Sequence, residues 1–417
     1  MGRTERTYYL VFGLYSLSGW FLAPVYPLFL LSRGLDLLQI NLVLATYLIT
    51  SAVAEVPTGA IADVVGRKTS FLLSCLVRTC AFTMYAFAGS FGDCVRAEFV
   101  DALGATLANG ALDAWAVDGM RAEGDHRMTD RFFARAQTIM RALMIAGGLG
   151  CGYLAEHAGL AAPWVAAAGG FALTGLTSAL LMRESRPREQ VRLARLHQAV
   201  GRTVSEGLAI VQRSTLLRRL CLLTLVSAFA SAPINMYWQP RLREVTGEGA
   251  WLMGWVWALL NLSAVAGSLL VARAAGRMRR ERFLCIAALW RGATLGLFAS
   301  ARGAPQAVVG LMGEEVGLAF GEPLVQAWMN EHVPAERRAT VLSVRTMSWT
   351  LGGACGLVVI GLVARTWGIP PALLISAAVL ALMAPGYAAL GRAEVVTGRE
   401  LDAGPVGDLH VPGKLAP

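Results

Sequence analysis

Charge is what this sequence is short of. Only 16% of its 417 residues are Asp, Glu, Lys or Arg, well under the roughly 25% of an ordinary soluble domain. Lysine is almost missing, with Lys68 and Lys414 the two among 37 basic residues. The five histidines (His126, His157, His197, His332 and His410) stand alone, with no metal-ligand spacing between them. The seven cysteines never form a C-x-x-C pair and lie mostly inside apolar runs, which excludes a disulfide scaffold. No glycine-rich phosphate loop of the G-x-x-x-x-G-K-S/T type occurs, so ATP-driven chemistry is not expected. No nucleophile or acid–base constellation stands out, and the chain is not expected to be an enzyme. What fills the space is apolar: 55% hydrophobic residues and a mean hydropathy of +0.53.

These residues fall in long runs, and a bilayer core needs about 20 apolar residues in a helix. Twelve runs qualify. The first six are Tyr8–Leu31, Gln39–Ala62, Thr69–Gly89, Cys94–Asp118, Gln137–Ala155 and Leu160–Met182. The second six are Leu220–Gln239, Ala250–Ala272, Phe283–Ser300, Pro305–Asn330, Ala339–Val363 and Pro370–Leu390. Run length predicts helices rather than barrel strands, which alternate over about ten residues. The first run is too long for a cleaved signal peptide. Arg and Lys placement sets orientation: with the N-terminus inside, inner segments carry 27 basic residues and outer ones 5. Both termini are therefore expected on the cytoplasmic side of a bacterial plasma membrane. The net charge of +9 reports this bias, and nucleic acid is not expected as a partner.

The expected organisation is a six-span bundle over 1–182, a basic linker over 183–219, a second bundle over 220–390 and a flexible tail over 391–417. In the linker, Leu193, Leu196, Val200, Val204, Leu208 and Val211 recur at helical spacing, which predicts an amphipathic helix on the inner membrane surface. The two bundles repeat each other. Arg78 recurs as Arg291, Asp101 as Glu314, Gly104 as Gly317 and Ala114-Trp115 as Ala327-Trp328, each 213 residues on. After the fourth span the offset drops to 204, aligning Arg141 with Arg345, Gly148 with Gly352 and Gly152 with Gly356. Such a parallel duplication suits a transporter that rocks its halves around a midplane site.

Between the second and third spans runs EVPTGAIADVVGRK. Gly59, Ile61, Ala62, Asp63, Gly66, Arg67 and Lys68 resemble motif A of the major facilitator superfamily, and the twelve spans, 6+6 repeat and basic central loop extend the resemblance over almost the whole chain. It implies an all-α membrane protein of two pseudo-symmetric six-helix bundles. It also implies that Asp63, Arg67 and Lys68 latch the halves together on the cytoplasmic side when the site faces outward. Val64 replaces the basic residue that often follows the aspartate, and Arg273 stands where Asp63 would recur. Pro24-Val-Tyr-Pro27 and the stretch 331–340 are similar to the drug-exporter branch.

Ionisable groups within a span are costly, roughly 2.5–3.5 kcal/mol each near the centre, so each is a functional candidate. They gather in the fourth span (Glu98, Asp101, Asp113, Asp118) and the tenth (Glu314, Glu315, Glu322), which the resemblance places on the central cavity. Depth at about 1.5 Å per residue suggests ion pairs Asp113–Arg141, Glu322–Arg345 and Glu55–Arg78. Asp101 and Glu314 have no arginine level with them. An unpaired carboxyl in an apolar cavity can load and release a proton, so these two are the candidates for proton coupling or for attracting a cationic substrate. Tyr26, Asn41, Asn235 and Trp238 are candidates to dress the cavity for a bulky amphipathic ligand. Taken together, the sequence predicts a monomeric, proton-coupled antiporter exporting drug-like or natural-product molecules, driven by the proton gradient without a cofactor. A proton-coupled importer or facilitator of a small metabolite such as a sugar is one alternative. A non-transporting lipid-handling or receptor protein on the same scaffold is another.

Overall fold

The computed structural model describes residues 2–124, 130–183, 207–274, 278–333 and 338–391, apart from the side chains of a few residues that include Asp63 and Glu322. Most of the linker and the tail from 392 therefore lie outside the described residues. Residues 207–213 are helical, and Val211 there is buried.

The first half comprises α1 (Arg3–Trp20), α2 (Tyr26–Ser32), α3 (Leu37–Val65), α4 (Arg67–Ala86), α5 (Phe91–Ala108), α6 (Ala111–Ala122), α7 (Asp130–Ala158) and α8 (Ala162–Leu181). The second comprises α9 (Thr215–Ser231), α10 (Ile234–Thr246), α11 (Ala250–Ala274), α12 (Arg280–Ala299), α13 (Ala304–Glu331), α14 (Arg338–Trp367), α15 (Ile369–Leu382) and α16 (Ala384–Ala388). The pairs α1–α2, α5–α6, α9–α10 and α15–α16 are broken single spans, so the chain makes twelve traverses. Local chemistry sets their ends. Asp36 and Gln39 form a reciprocal capping box at the start of α3, with the Asp36 carboxylate accepting from the backbone of Leu38 and Gln39 at 2.9 and 2.8 Å. Gly66, at φ 94°, makes the turn between α3 and α4 that a residue with a Cβ would strain. On the arginine-rich face, Arg280 donates to both oxygens of Glu331 at 2.5 and 2.7 Å, tying α12 to α13. Those bonds hold the Glu331 carboxyl below its usual range.

Among the described residues nine helical segments are long and apolar enough to cross a membrane. The expected first, fourth and tenth spans miss that mark for a physical reason. The first opens with Arg3, Glu5 and Arg6, the fourth breaks at Asn109–Gly110 and carries four charges in α5 alone, and the tenth holds Glu314, Glu315 and Glu322. Around the outside, Phe87, Leu180 and Leu382 are more than 70% exposed, as a lipid-facing surface requires.

The halves meet through α7 with α11 and α3 with α14, at the ends remote from the arginine-rich loops. Asn41 donates to the Tyr237 hydroxyl and the Leu357 carbonyl, both at 2.8 Å, and Gln239 donates to the Ala23 carbonyl at 2.9 Å. Gly148, Gly152 and Gly254 let α7 and α11 touch backbone to backbone: a Cβ on Gly254 would lie 2.6 Å from the Gly148 carbonyl oxygen. Arg141 donates to Asn261 at 3.1 Å near mid-span. Toward the arginine-rich face Val53, Glu55, Asn109, Asp113, Thr346 and Met347 are exposed, and no hydrogen bond is found there between the spans of the two halves among the described residues. The structure is sealed at the arginine-poor face and parted at the other. Arg67 bonds to Asp118 and the Ala114 carbonyl, and Lys68 to the carbonyls of Ala179 and Met182 at 2.9 and 2.7 Å. In this state both basic residues of the motif therefore brace the first half internally, while Gly59 has open space beside it.

Replacing Gly254 by Leu is expected to cost about 1–3 kcal/mol by overpacking the seam and to lower the melting temperature of detergent-solubilised protein. Gly296→Leu is the control, since a Cβ there meets nothing within 4 Å. Equal melting temperatures for the two variants would contradict a close-packed seam.

Candidate functional site

Beneath the seam lies a cavity of about 440 Å³ walled by both halves. The first half supplies Tyr26, Tyr47, Arg78, Phe82, Tyr85, Glu98, Asp101 and Trp164, and the second supplies Asn235, Trp238, Gln239, Trp257 and Trp349. Of the residues expected to dress a cavity, Tyr26, Asn235 and Trp238 are here. Trp238 stacks near-parallel to Trp257, with centroids 6.4 Å apart. Asn41 is not here. It is fully buried and serves as a strut between the halves.

The charged groups pair differently from the expectation. Arg78 on α4 donates to Asp101 on α5 through Nε at 2.7 Å and Nη2 at 3.2 Å, a bidentate pair. Glu55 is exposed and accepts instead from Asn109 at 2.8 Å, so the expected Glu55–Arg78 pair does not form. Asp113 accepts from the Tyr8 hydroxyl at 2.7 Å, while Arg141 bonds across the halves to Asn261. Equal depth had suggested Asp113–Arg141, but depth fixes a residue along the helix and leaves its direction around the axis open. Glu314 is not unpaired either. Arg291 donates to it at 3.0 and 2.5 Å and to the Ser231 hydroxyl at 2.9 Å. The Glu322 side chain lies outside the described residues, and Arg345 is half-buried on α14.

The two arginine–acid pairs occupy equivalent places, 213 residues apart, and each arginine crosses closely over a glycine, Gly104 or Gly317. Their surroundings differ. The Arg291 guanidinium is clamped by serine hydroxyls and borders only a void of about 20 Å³. The Arg78 guanidinium lies under aromatic faces, 4.3 Å from the Phe171 centroid and 5.3 Å from that of Tyr15, and fronts the large cavity.

One helical turn before Asp101, on the same face of α5, stands Glu98. It is 6% exposed, and its carboxylate accepts from the Tyr85 hydroxyl. Among the described residues it has no ion pair. With Arg78, Asp101 and Glu98 all ionised the cluster carries one net negative charge, and one proton makes it neutral. Tyr85 links this acid to the wall, because its ring stacks on Trp164 at 4.0 Å and 19°. Among residues that sequence reasoning underweighted, Tyr85 and Trp164 come from the third and sixth spans, outside those the resemblance assigned to the cavity. The signal for the ion pairs was present: Arg78 and Asp101 are 23 residues apart, and so are their repeats.

If Arg291–Glu314 only holds helices together, Glu314→Gln alone should cost about 3–5 kcal/mol by stranding the arginine, whereas Arg291→Met with Glu314→Leu should recover most of it. Thermal unfolding with transport as a second readout checks this. Loss of transport in a well-folded double variant would give the pair more than a structural role.

The model of the Major Facilitator Superfamily matches residues 8–289 and 220–407, together almost the whole chain. A Bacillus subtilis (strain 168) protein described as an uncharacterized MFS-type transporter, YxaM, is 22% identical over 367 residues, covering 87% of this chain and 90% of its own. Among solved structures, a nucleoside transporter, NupG, superposes with a TM-score of 0.76 at 14% identity, covering 94% of this chain and 100% of its own. A D-xylose-proton symporter gives 0.72 at 11%, covering 91% and 96%. The human organic anion transporter MFSD10 gives 0.62 at 15%, covering 92% and 99%. At these identities the solved structures speak for the fold alone.

Proposed function

The chain belongs to the major facilitator superfamily and is a membrane transport protein rather than an enzyme, and from that premise we propose that it is a proton-coupled antiporter exporting aromatic, drug-like or natural-product molecules. One observation carries the reading. The cavity between the halves is walled by aromatic rings, and Glu98, the acid on its wall without a basic partner among the described residues, hydrogen-bonds to Tyr85, a ring of that same wall.

The mechanism follows from this geometry, with the arginine-rich face taken as cytoplasmic and the protein acting as a monomer in a bacterial plasma membrane. In the state described here the cavity is shut off from the arginine-poor face by the α7–α11 and α3–α14 seams. An aromatic, amphipathic molecule entering from the arginine-rich side meets Trp238, Trp257 and Trp164, whose faces favour stacking and, for a cation, ring–charge attraction. Binding against the Tyr85–Trp164 stack shifts the hydroxyl that Glu98 leans on. The ionised cluster, with its single net negative charge, holds a cationic ligand better than the neutral one, so ligand binding and proton release favour each other. Once the ligand is bound, the halves rock and the seam opens. Protonation of the cluster from the far side then releases the ligand outward.

A proton-coupled importer of a small polar metabolite is the second reading. It is favoured by Asn235, whose amide is exposed on the cavity wall without a partner among the described residues. The sign of the proton movement separates the two. Adding ethidium, an aromatic cation, to weakly buffered detergent-solubilised protein is expected to release protons, and ethidium binding is expected to tighten by up to about tenfold per pH unit as pH rises. Glu98→Gln should abolish the release and flatten the pH dependence. Proton uptake on binding, or an unchanged Glu98→Gln variant, would overturn antiport.

A further inference from the structure

A second cavity, of about 390 Å³, lies wholly within the first half. Its walls come from α1, α3, α4, α5 and α6, with no residue of the second half among them. Two residues, Tyr47 and Arg78, line both this chamber and the central cavity, so they form the partition between them, with Asp101 bonded to Arg78 on the central side. The far wall carries Glu55 and Asp113, both exposed toward the arginine-rich face.

Three features indicate that the chamber holds water. The fourth span breaks at Asn109–Gly110, with Gly110 at φ 70°, and both residues of the break line the chamber. Non-helical backbone at membrane depth is tolerated where it is buried in protein or lines a water-filled cavity, and both of these residues are exposed. The break lies about 18 Å along the axis from the end of α6, which places it well within the bilayer. The Ser51 hydroxyl, on the same wall, is buried without a partner among the described residues. The polar side chains also fall in order: Tyr8 bonded to Asp113 at the mouth, Asn109 bonded to Glu55, then Ser51, and at the partition Arg78 bonded to Asp101. The repeat offset sets Glu322–Pro323 against Asn109–Gly110, and α13 runs unbroken through that point.

We propose that this chamber is a proton exit that leaves the central cavity at Arg78 and reaches the arginine-rich side through the first half. The proposal rests on the proton-coupled reading and deepens it. A ligand filling the central cavity would cover Glu98 and Asp101 and block water from them on that side. The chamber lets the proton leave while the ligand stays. The proton passes from Glu98 to Asp101 on the same face of α5. As Asp101 becomes neutral it loosens its hold on Arg78, and the proton then moves through chamber water past Glu55 to the arginine-rich side, leaving Asp101 ionised and paired again. The charged and titratable groups lining the chamber are Tyr15 from α1, Tyr47 and Glu55 from α3, Arg78 from α4 and Asp113 from α6; Asp101 of α5 reaches it through its bond to Arg78, and Tyr8 of α1 is bonded to Asp113.

The test uses the full chain and ethidium as probe, with proton release followed by a pH dye in rapid mixing and binding followed by tryptophan quenching. Ser51→Phe plugs the chamber, and Glu55→Gln removes the acceptor between Ser51 and the mouth. Both are expected to slow ethidium-driven proton release about tenfold or more, with the ethidium Kd within about twofold of wild type. Glu55→Asp should restore the rate, which a purely structural defect would not allow. Unchanged release rates in both plugged and neutralised variants, alongside abolished release in Glu98→Gln, would overturn the chamber and leave the antiport reading standing. Ethidium Kd weakened in step with the rate would overturn it too, by making the chamber part of the substrate site. A wild-type chain that binds ethidium without releasing any proton would overturn both.

Discussion

An arginine inside a membrane protein has to be neutralised where it stands, and the whole arrangement of the first half answers to that demand at Arg78. Its guanidinium takes both oxygens of Asp101, which fixes α4 against α5. Gly104 gives the arginine stem room to pass, and the rings of Phe171, Tyr15 and Phe82 lid the charge from above. Helix packing, aromatic placement and the partition between two cavities all follow from satisfying one charge. Breaking the pair would strand the arginine in low dielectric, a cost of several kcal/mol that nothing nearby offsets.

Duplication gave the molecule two such pairs, and they have diverged by what surrounds them. Arg291 is closed in by Glu314, Ser227 and Ser231, with hydrogen bonds in every direction and almost no free volume beside it. Arg78 has aromatic faces instead of hydroxyls and open volume on two sides. A charge held partly by hydroxyls keeps some of its bonds when its carboxylate is neutralised. A charge held by ring faces depends on that carboxylate for all its strong bonds. The same ionic motif is closed in by hydroxyls in one half and bordered by rings and open volume in the other.

Much of this was legible in the sequence. Run length gave twelve traverses, the 213-residue offset gave the duplication, and EVPTGAIADVVGRK gave the turn at Gly66. The acids of the fourth span were visible as costly, and so was the aromatic character of Tyr26 and Trp238. What the sequence withheld was direction. Depth arithmetic set Asp113 level with Arg141, yet a side chain at a given depth can point anywhere around its helix, and Asp113 points at Tyr8. Such arithmetic also assumes straight helices, and the fourth span is broken two residues before α6 begins. Glu98 was hidden because its importance comes from Tyr85 and Trp164, on spans that a one-dimensional pattern cannot bring together. The repeat itself held the missing clue, since a pair of opposite charges duplicated at constant spacing is most simply a contact.

The glycine seam carries a consequence for the energetics of gating. Where α7 meets α11 the facing surfaces are Gly148, Gly152 and Gly254, backbone on backbone, with the exposed Arg365–Asp36 contact at 3.5 Å the one charge pair spanning the halves among the described residues. Exposed pairs of that kind contribute little. Parting this face therefore separates mainly van der Waals surfaces and hydrogen bonds, two of which involve a charged side chain: Arg141 donating to Asn261, and the Trp251 amide donating to the Glu156 carboxylate. Salt then acts on this gate at its exposed rim, at Glu156 and at Arg365–Asp36, while the glycine contact beneath is electrically silent.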